Sequence, residues 1–190
     1  SREVEIRCSI TDEVEKCEHQ LYEGIEHVLW TLNNKGHHLG IVTSRASDVI
    51  FAESPQEQGL KKAGFFFSAQ GGHSFDKEIG IHTLQKQAAK KQKYHGKTIM
   101  VGDRIFDYAG AMKASADFIL CTYDIEPFPF PEPVASDTSP PPFWVAQQPE
   151  DILVCVDEIV KENQSHQFCV KGATFQQYMF ENFYSDALAK

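Results

Sequence analysis

Asp103 and Asp107 are the residues of this chain whose types and spacing are best suited to chemistry. Carboxylates four residues apart lie one helical turn apart, so both can face a single point. Two hard oxygen donors in that arrangement suit Mg²⁺, which takes one or two carboxylates and keeps water or substrate phosphate in its other positions. The same Gly102-Asp103-Arg104-Ile105-Phe106-Asp107 also fits an N-cap followed by a solvated helical acid. Thr43, Ser44 and Arg45 make a second cluster, in which hydroxyls and backbone amides at the start of a helix form an anion site. Between the two in sequence, Lys77 opens a further helix that runs from about Glu78 to Lys93. Lys86 and Lys90 lie too deep in that helix to reach a site at its start.

The elements that must position these groups are legible as hydrophobic pattern. Thr98 to Val101 is an almost wholly apolar run, the pattern of a strand buried on both faces of a parallel sheet. The run breaks at Gly102-Asp103, and Arg104 to Ala114 reads as a helix. Asp103 therefore falls at the carboxyl end of a strand, where open α/β sheets place their ligands. His38 to Thr43, Asp117 to Thr122 and Phe143 to Ala146 read as further strands, and Phe65-Phe66-Phe67 as a short strand or a core plug. Tyr22 to Lys35 is an amphipathic helix with Tyr22, Ile25, Val28, Leu29 and Leu32 on one face and Gly36 as its stop. Residues 46–63 form a helix kinked at Pro55, and Pro149 to Lys161 another with Ile152, Leu153, Val156, Ile159 and Val160 apolar. This alternation predicts an α/β fold with a three-layer, doubly wound parallel sheet. The carboxyl ends of the strands at 38–43 and 98–101 should be neighbours.

Composition narrows the function. The 190 residues suit one domain with a real core, and 42% apolar with 24% charged residues is ordinary for a globular protein. A net charge of −9 argues against a nucleic-acid binder, which needs a basic footprint. The one basic concentration, Lys86 to Lys97, reads as a solvated helix face. No apolar run approaches the roughly 20 residues that span a bilayer, and the start is not a signal peptide, so no membrane partner is expected. The five cysteines, Cys8, Cys17, Cys121, Cys155 and Cys169, are odd in number and hold no CxxC pair. Cys121 and Cys155 read as small core residues, and a reduced, cytoplasmic setting fits the set. The eight histidines show no metal-ligand spacing.

Three stretches stand apart. In residues 1–20, Val4, Ile6, Cys8 and Ile10 alternate with polar residues, a half-exposed strand pattern, and Asp12 is the one aspartate. Glu126 to Pro142 holds seven of the nine prolines and reads as an extended loop. In the tail, Phe175, Tyr178, Met179, Phe183 and Leu188 make an aromatic helical stripe that suits a core face or a homodimer contact.

An anion site, a lysine and a paired-carboxylate metal site in this order resemble the haloacid dehalogenase (HAD) superfamily, in its phosphoglycolate phosphatase-like branch. The pieces that carry the resemblance are LYEGIEHVLWTLNNKGHHLGIVTSR, FDKEIGIHTLQKQ and TIMVGDRIFDYAGAMKASADFI, and it runs from about Leu21 to about Val160. It divides the chain into a divergent N-terminal segment (1–20), a core domain (21–162) with a Pro-rich insertion (126–142), and a C-terminal aromatic helical extension (163–190). It implies a Rossmann-like core without a sizeable cap, and phosphatase activity with Mg²⁺ on a small phosphorylated molecule. Thr43, with the amides of Ser44 and Arg45, would hold phosphoryl oxygens. Lys77 would neutralise the nucleophile and the phosphate. Asp103 would be the main metal ligand and Asp107 the weaker one.

Family phosphatases attack phosphorus with an aspartate from a DxD motif, whose second aspartate serves as general acid and base. This sequence holds no DxD. Weak Mg²⁺ binding and an incomplete or inactive site are therefore expected. Three readings follow from that gap: a hydrolase whose nucleophile segment is missing or altered, a pseudophosphatase that binds a phosphorylated ligand or a protein, or an interaction protein that uses only the fold.

Overall fold

The computed structural model describes residues 22–42, 69–70, 77–92, 96–123, 140–162 and 167–184. The chain divides into two compact units, residues 1–91 and 92–190.

In the first unit, α1 spans Ile25–Asn34 and buries Val28 and Leu32. Tyr22, expected on its apolar face, precedes the helix and is 47% exposed. Gly24, in the left-handed region, starts the helix three residues later than the apolar pattern suggests. Gly36 ends the turn beyond it at φ 85°, a conformation that side chains with a Cβ rarely adopt. The short strand β1, Ile41–Val42, pairs in parallel with β2, Ala69–Gln70. Helix α2, Lys77–Gln92, follows. It packs close to the approach of β1, because a Cβ at Gly40 would lie 2.7 Å from the Leu84 side chain.

The second unit holds a four-stranded sheet in the order β3 (Ile99–Gly102), β4 (Asp117–Cys121), β5 (Phe143–Ala146) and β6 (Cys169–Val170). The first three strands are parallel, and β6 runs antiparallel to β5, with Phe143 opposite Val170. The expected all-parallel sheet is thus a mixed one. An antiparallel edge strand on an otherwise parallel sheet is a common arrangement, and a strand of two residues leaves no hydrophobic run to read. Helix α3, Ile105–Lys113, makes the crossover from β3 to β4, helix α4, Asp151–Val160, leads from β5 to β6, and α5, Phe175–Met179, runs on into a π-helical turn, Phe180–Tyr184. Phe65 to Phe67, the helix at 46–63, the N-terminal segment and most of the Pro-rich stretch lie outside the described residues.

Alternation along the strands separates two faces. Phe118, Leu120, Phe143 and Val145 join Ala111 of α3 and Phe175 and Met179 of α5 in one buried cluster. Ile119, Cys121, Trp144 and Ala146 point the other way, and α4 buries Ile152, Cys155, Val156 and Ile159. The result is a three-layer α/β arrangement, as the hydrophobic pattern predicts. One strand departs from that pattern: Val101 of β3 is 38% exposed instead of buried. Among the described residues, β3 ends the sheet and has a partner strand on one side only.

The aromatic tail belongs to this core. Phe175 stacks on Tyr108 with ring centroids 4.8 Å apart and meets Phe118 and Phe143 at 5.9 and 5.8 Å. Thr174 holds the start of α5: its hydroxyl accepts from the Gln177 amide at 3.1 Å, and its own amide donates to the Gln177 side chain at 2.8 Å. Truncating Phe175, which is 1% exposed, removes a ring from three aromatic contacts. Phe175→Ala should cost about 3–5 kcal/mol, read as a shift of the urea midpoint.

Candidate metal and phosphate site

The carboxyl end of β3 is built by one close contact. Arg104 is extended at φ −125° and ψ 157°, which turns the chain from strand into helix, and its amide donates to Asp107 Oδ2 at 3.3 Å. Asp107 thus takes the third helical position, where a carboxylate satisfies an otherwise unpaired amide and meets the positive end of the helix dipole. The side chain is buried, 6% exposed, and lies directly against Gly102. A Cβ placed on Gly102 would sit 2.5 Å from the Asp107 Cβ and 2.6 Å from Oδ2, distances no real pair of such atoms shows. Only glycine lets the strand end and the carboxylate approach in this way.

Asp103 stands beside this contact with its side chain 48% exposed, and Oδ2 lies 3.5 Å from Arg104 Nε. An ion pair so open to solvent adds little stability. Together the two aspartates form a set of hard oxygen donors, one held rigidly and one facing solvent, which fits a divalent cation such as Mg²⁺. Among the described residues no group of three or more His, Cys, Asp and Glu could hold a metal ion by itself. A cation here would complete its shell with water and ligand oxygens.

Of the other site residues expected from sequence, Lys77 begins α2. Its Nζ donates to the Val42 carbonyl at 3.1 Å, so it reaches the carboxyl end of β1. Lys86 and Lys90 are exposed farther along the same helix. Thr43, Ser44 and Arg45 lie outside the described residues. The Lys77 contact belongs to the first unit and the aspartates to the second.

Three residues not singled out for this site share its edge. Gly102 is opposite Leu120, so Cys121, Thr122 and Tyr123 run beyond β4 next to the strand end that carries Asp103. Thr122 pins this stretch, its amide and hydroxyl both donating to the Ala146 carbonyl at 2.9 and 3.3 Å. Burial pushes the Cys121 thiol up to about 11, with Asp103 and Asp107 adding to the rise and a hydrogen bond from Tyr123 opposing it. The Tyr123 hydroxyl is raised as well, first by burial and then by Cys121, Asp103 and Glu150. The sequence carries one signal for Tyr123: it lies just past the end of the strand that follows the Gly-Asp strand. On the next turn, Asp151 is committed to structure, accepting from the amides of Gln147 and Gln148 at 2.9 and 3.1 Å.

A mostly parallel sheet with helices on both faces and acidic residues beyond the end of a strand defines a Rossmann-like α/β domain. Within that class, the chain belongs to the haloacid dehalogenase-like hydrolase family, whose model matches residues 4–121. Neither the curated proteins nor the solved structures gave a match.

Gly102→Ala should destabilise the chain by about 1–3 kcal/mol through overpacking against Asp107, measured by urea denaturation. The buried thiols set a second expectation. Cys121 and Cys155 are raised from 9.0 to about 11 and about 12, so the folded chain keeps protons that the unfolded chain loses. Their contribution is complete below about pH 9 and is lost as pH rises through the folded values. Stability should fall between about pH 9 and about pH 11, and less steeply in Cys155→Ala, in denaturation curves collected across that range.

Proposed function

We propose that the Asp103–Asp107 edge belongs to a Mg²⁺-dependent site for a small phosphate monoester, of the phosphoglycolate phosphatase-like kind. The observation that carries this reading is the Asp107 carboxylate locked against Gly102 beside a solvent-facing Asp103. That contact fixes an acceptor-only pair where a sheet of this class presents its ligands. When bound, Mg²⁺ would neutralise charge on the phosphoryl oxygens and orient them. Asp103 and Asp107 would hold that cation. By the family resemblance, Lys77, which reaches the carboxyl end of β1 within the first unit, would be the cationic side chain that meets phosphate. Thr43, with the amides of Ser44 and Arg45, would hold phosphoryl oxygens on the same resemblance.

What these residues supply is binding and electrostatic stabilisation. Phosphoryl transfer through a carboxylate also needs that carboxylate in line with the leaving group. Asp103 and Asp107 would be engaged with the cation, and the sequence holds no DxD to provide another pair. On this reading the 190 residues would bind phosphate and metal without appreciable turnover. The setting in this reading is reducing and cytoplasmic, in keeping with the free thiols of Cys121, Cys155 and Cys169. Among the described residues no helix is long and apolar enough to cross a membrane. A homodimer through the C-terminal helix is a separate proposal. Phe175 and Met179 are already buried in the core, so its contact would fall to the outer face of that helix, and sedimentation velocity tests it.

Incubated with p-nitrophenyl phosphate and Mg²⁺, the chain should release no nitrophenol above the uncatalysed rate. Metal-dependent release that Asp103→Asn abolishes would show a working nucleophile elsewhere in the chain. Calorimetric titration with Mg²⁺ should give weak binding in the wild type and none in Asp103→Ala, and identical isotherms would refute the metal site.

A further inference from the structure

We propose that Arg104 is an anion-binding residue of this site, its guanidinium passing from Asp103 to the phosphate of a ligand when a divalent cation takes that carboxylate. The inference rests on the reading of the site given above and assigns a role to a side chain outside the carboxylate pair.

Three observations support it. Arg104 Nε lies 3.5 Å from Asp103 Oδ2, so a positive charge already stands at the more open of the two carboxylates. The arginine side chain is not packed away: it is 71% exposed, and its one ion pair faces water. Its base, by contrast, is fixed through the backbone. Arg104 is extended at φ −125° and its amide donates to Asp107 Oδ2 at 3.3 Å, which holds the residue at the turn between β3 and α3.

Charge and reach then decide what this cationic arm can do. A guanidinium and a divalent cation repel when both sit on one carboxylate, and Arg104 is the weaker competitor. Leaving Asp103 costs it little, because the pair is so exposed. Neighbouring oxygens in an octahedral Mg²⁺ shell, each about 2.1 Å from the ion, lie about 3 Å apart. A phosphate oxygen that shares a cation with Asp103 thus comes within about 3 Å of the carboxylate that Arg104 touches. The guanidinium meets it by turning its outer torsions, with the base unmoved. Its N–H groups are donors only, set in a planar fork that matches phosphate.

The test uses the full chain, with Mg²⁺ and inorganic phosphate as probes, in wild type, Arg104→Gln, Arg104→Lys and Lys113→Gln. Calorimetry follows Mg²⁺ alone, and phosphorus NMR line width follows phosphate at saturating Mg²⁺. Glutamine keeps the backbone amide that serves Asp107, so the urea midpoint should not move. Arg104→Gln should bind Mg²⁺ about two- to fivefold more tightly, because the competing charge is gone. The same variant should bind phosphate about tenfold more weakly, through loss of a charge-assisted hydrogen bond. Arg104→Lys keeps the charge without the fork and should fall between. Lys113→Gln removes a charge at the far end of α3, about 12 Å along the helix, and should change neither affinity. Either affinity unchanged in Arg104→Gln would overturn the exchange and leave the metal site standing. Equal changes in Lys113→Gln would overturn it too, since the general field of the unit would then be the cause. Absence of Mg²⁺ binding in wild type would overturn the metal site and the role of Arg104 with it.

Discussion

The contact between Asp107 and Gly102 is the constraint on which the candidate site depends. A strand that ends in glycine can bring its backbone against a carboxylate, and that carboxylate can then reach back to the Arg104 amide. The same side chain thus ends β3, starts α3 and sets the place of Asp103. Burying a carboxylate requires compensating hydrogen bonds, and the start of a helix offers unpaired amides at that point. Structure and chemistry share one group here. The residue that would hold a cation also caps the helix, so the fold keeps it in position whether or not a ligand is present.

Around that turn the second unit is an aromatic construction. Tyr108 projects from α3 toward Phe118 and Phe143 of the sheet and stacks on Phe175 of α5. The helix that begins at the candidate site is thereby clamped along its length. On the opposite face α4 is fastened differently. Lys97, just ahead of β3, donates to the Ile159 carbonyl at 3.2 Å and lies 3.3 Å from Glu162. A cation at a helix C-terminus meets the negative end of the dipole. Glu162 itself adopts φ 58°, which closes the helix end without a glycine.

Much of this was legible in the sequence because much of it is local. The runs at 99–102, 117–121 and 143–146 were read within a residue or two, since a buried parallel strand is a continuous apolar stretch and Gly102-Asp103 ends one abruptly. The start of α3 follows from the same break. The apolar spacing makes helix α1 too long, because Tyr22 matches it and only the left-handed Gly24 excludes that residue. Strand β6 had no chance of detection at two residues. The tail could be recognised as an apolar helical stripe, but not as a layer on this sheet, because its partners Tyr108, Phe118 and Phe143 come from far along the chain. Tyr123 was missed for a related reason. Its nearness to Asp103 comes from the register of β4 against β3, and register is a property of two strands that neither one shows alone.

The position of Phe175 also bears on how the protein comes to be folded. Synthesis delivers β3, α3, β4 and β5 first, and each leaves apolar surface exposed that α5 eventually covers. Until Phe175 emerges, Tyr108, Phe118 and Phe143 have no ring to close over them, and half-covered sheets of this kind are the species that aggregate or recruit chaperones. The long separation in sequence between Tyr108 and its stacking partner makes that closure a late, non-local step. A nascent chain stalled before residue 175 would carry the carboxylate pair complete, on a sheet still lacking one of its layers.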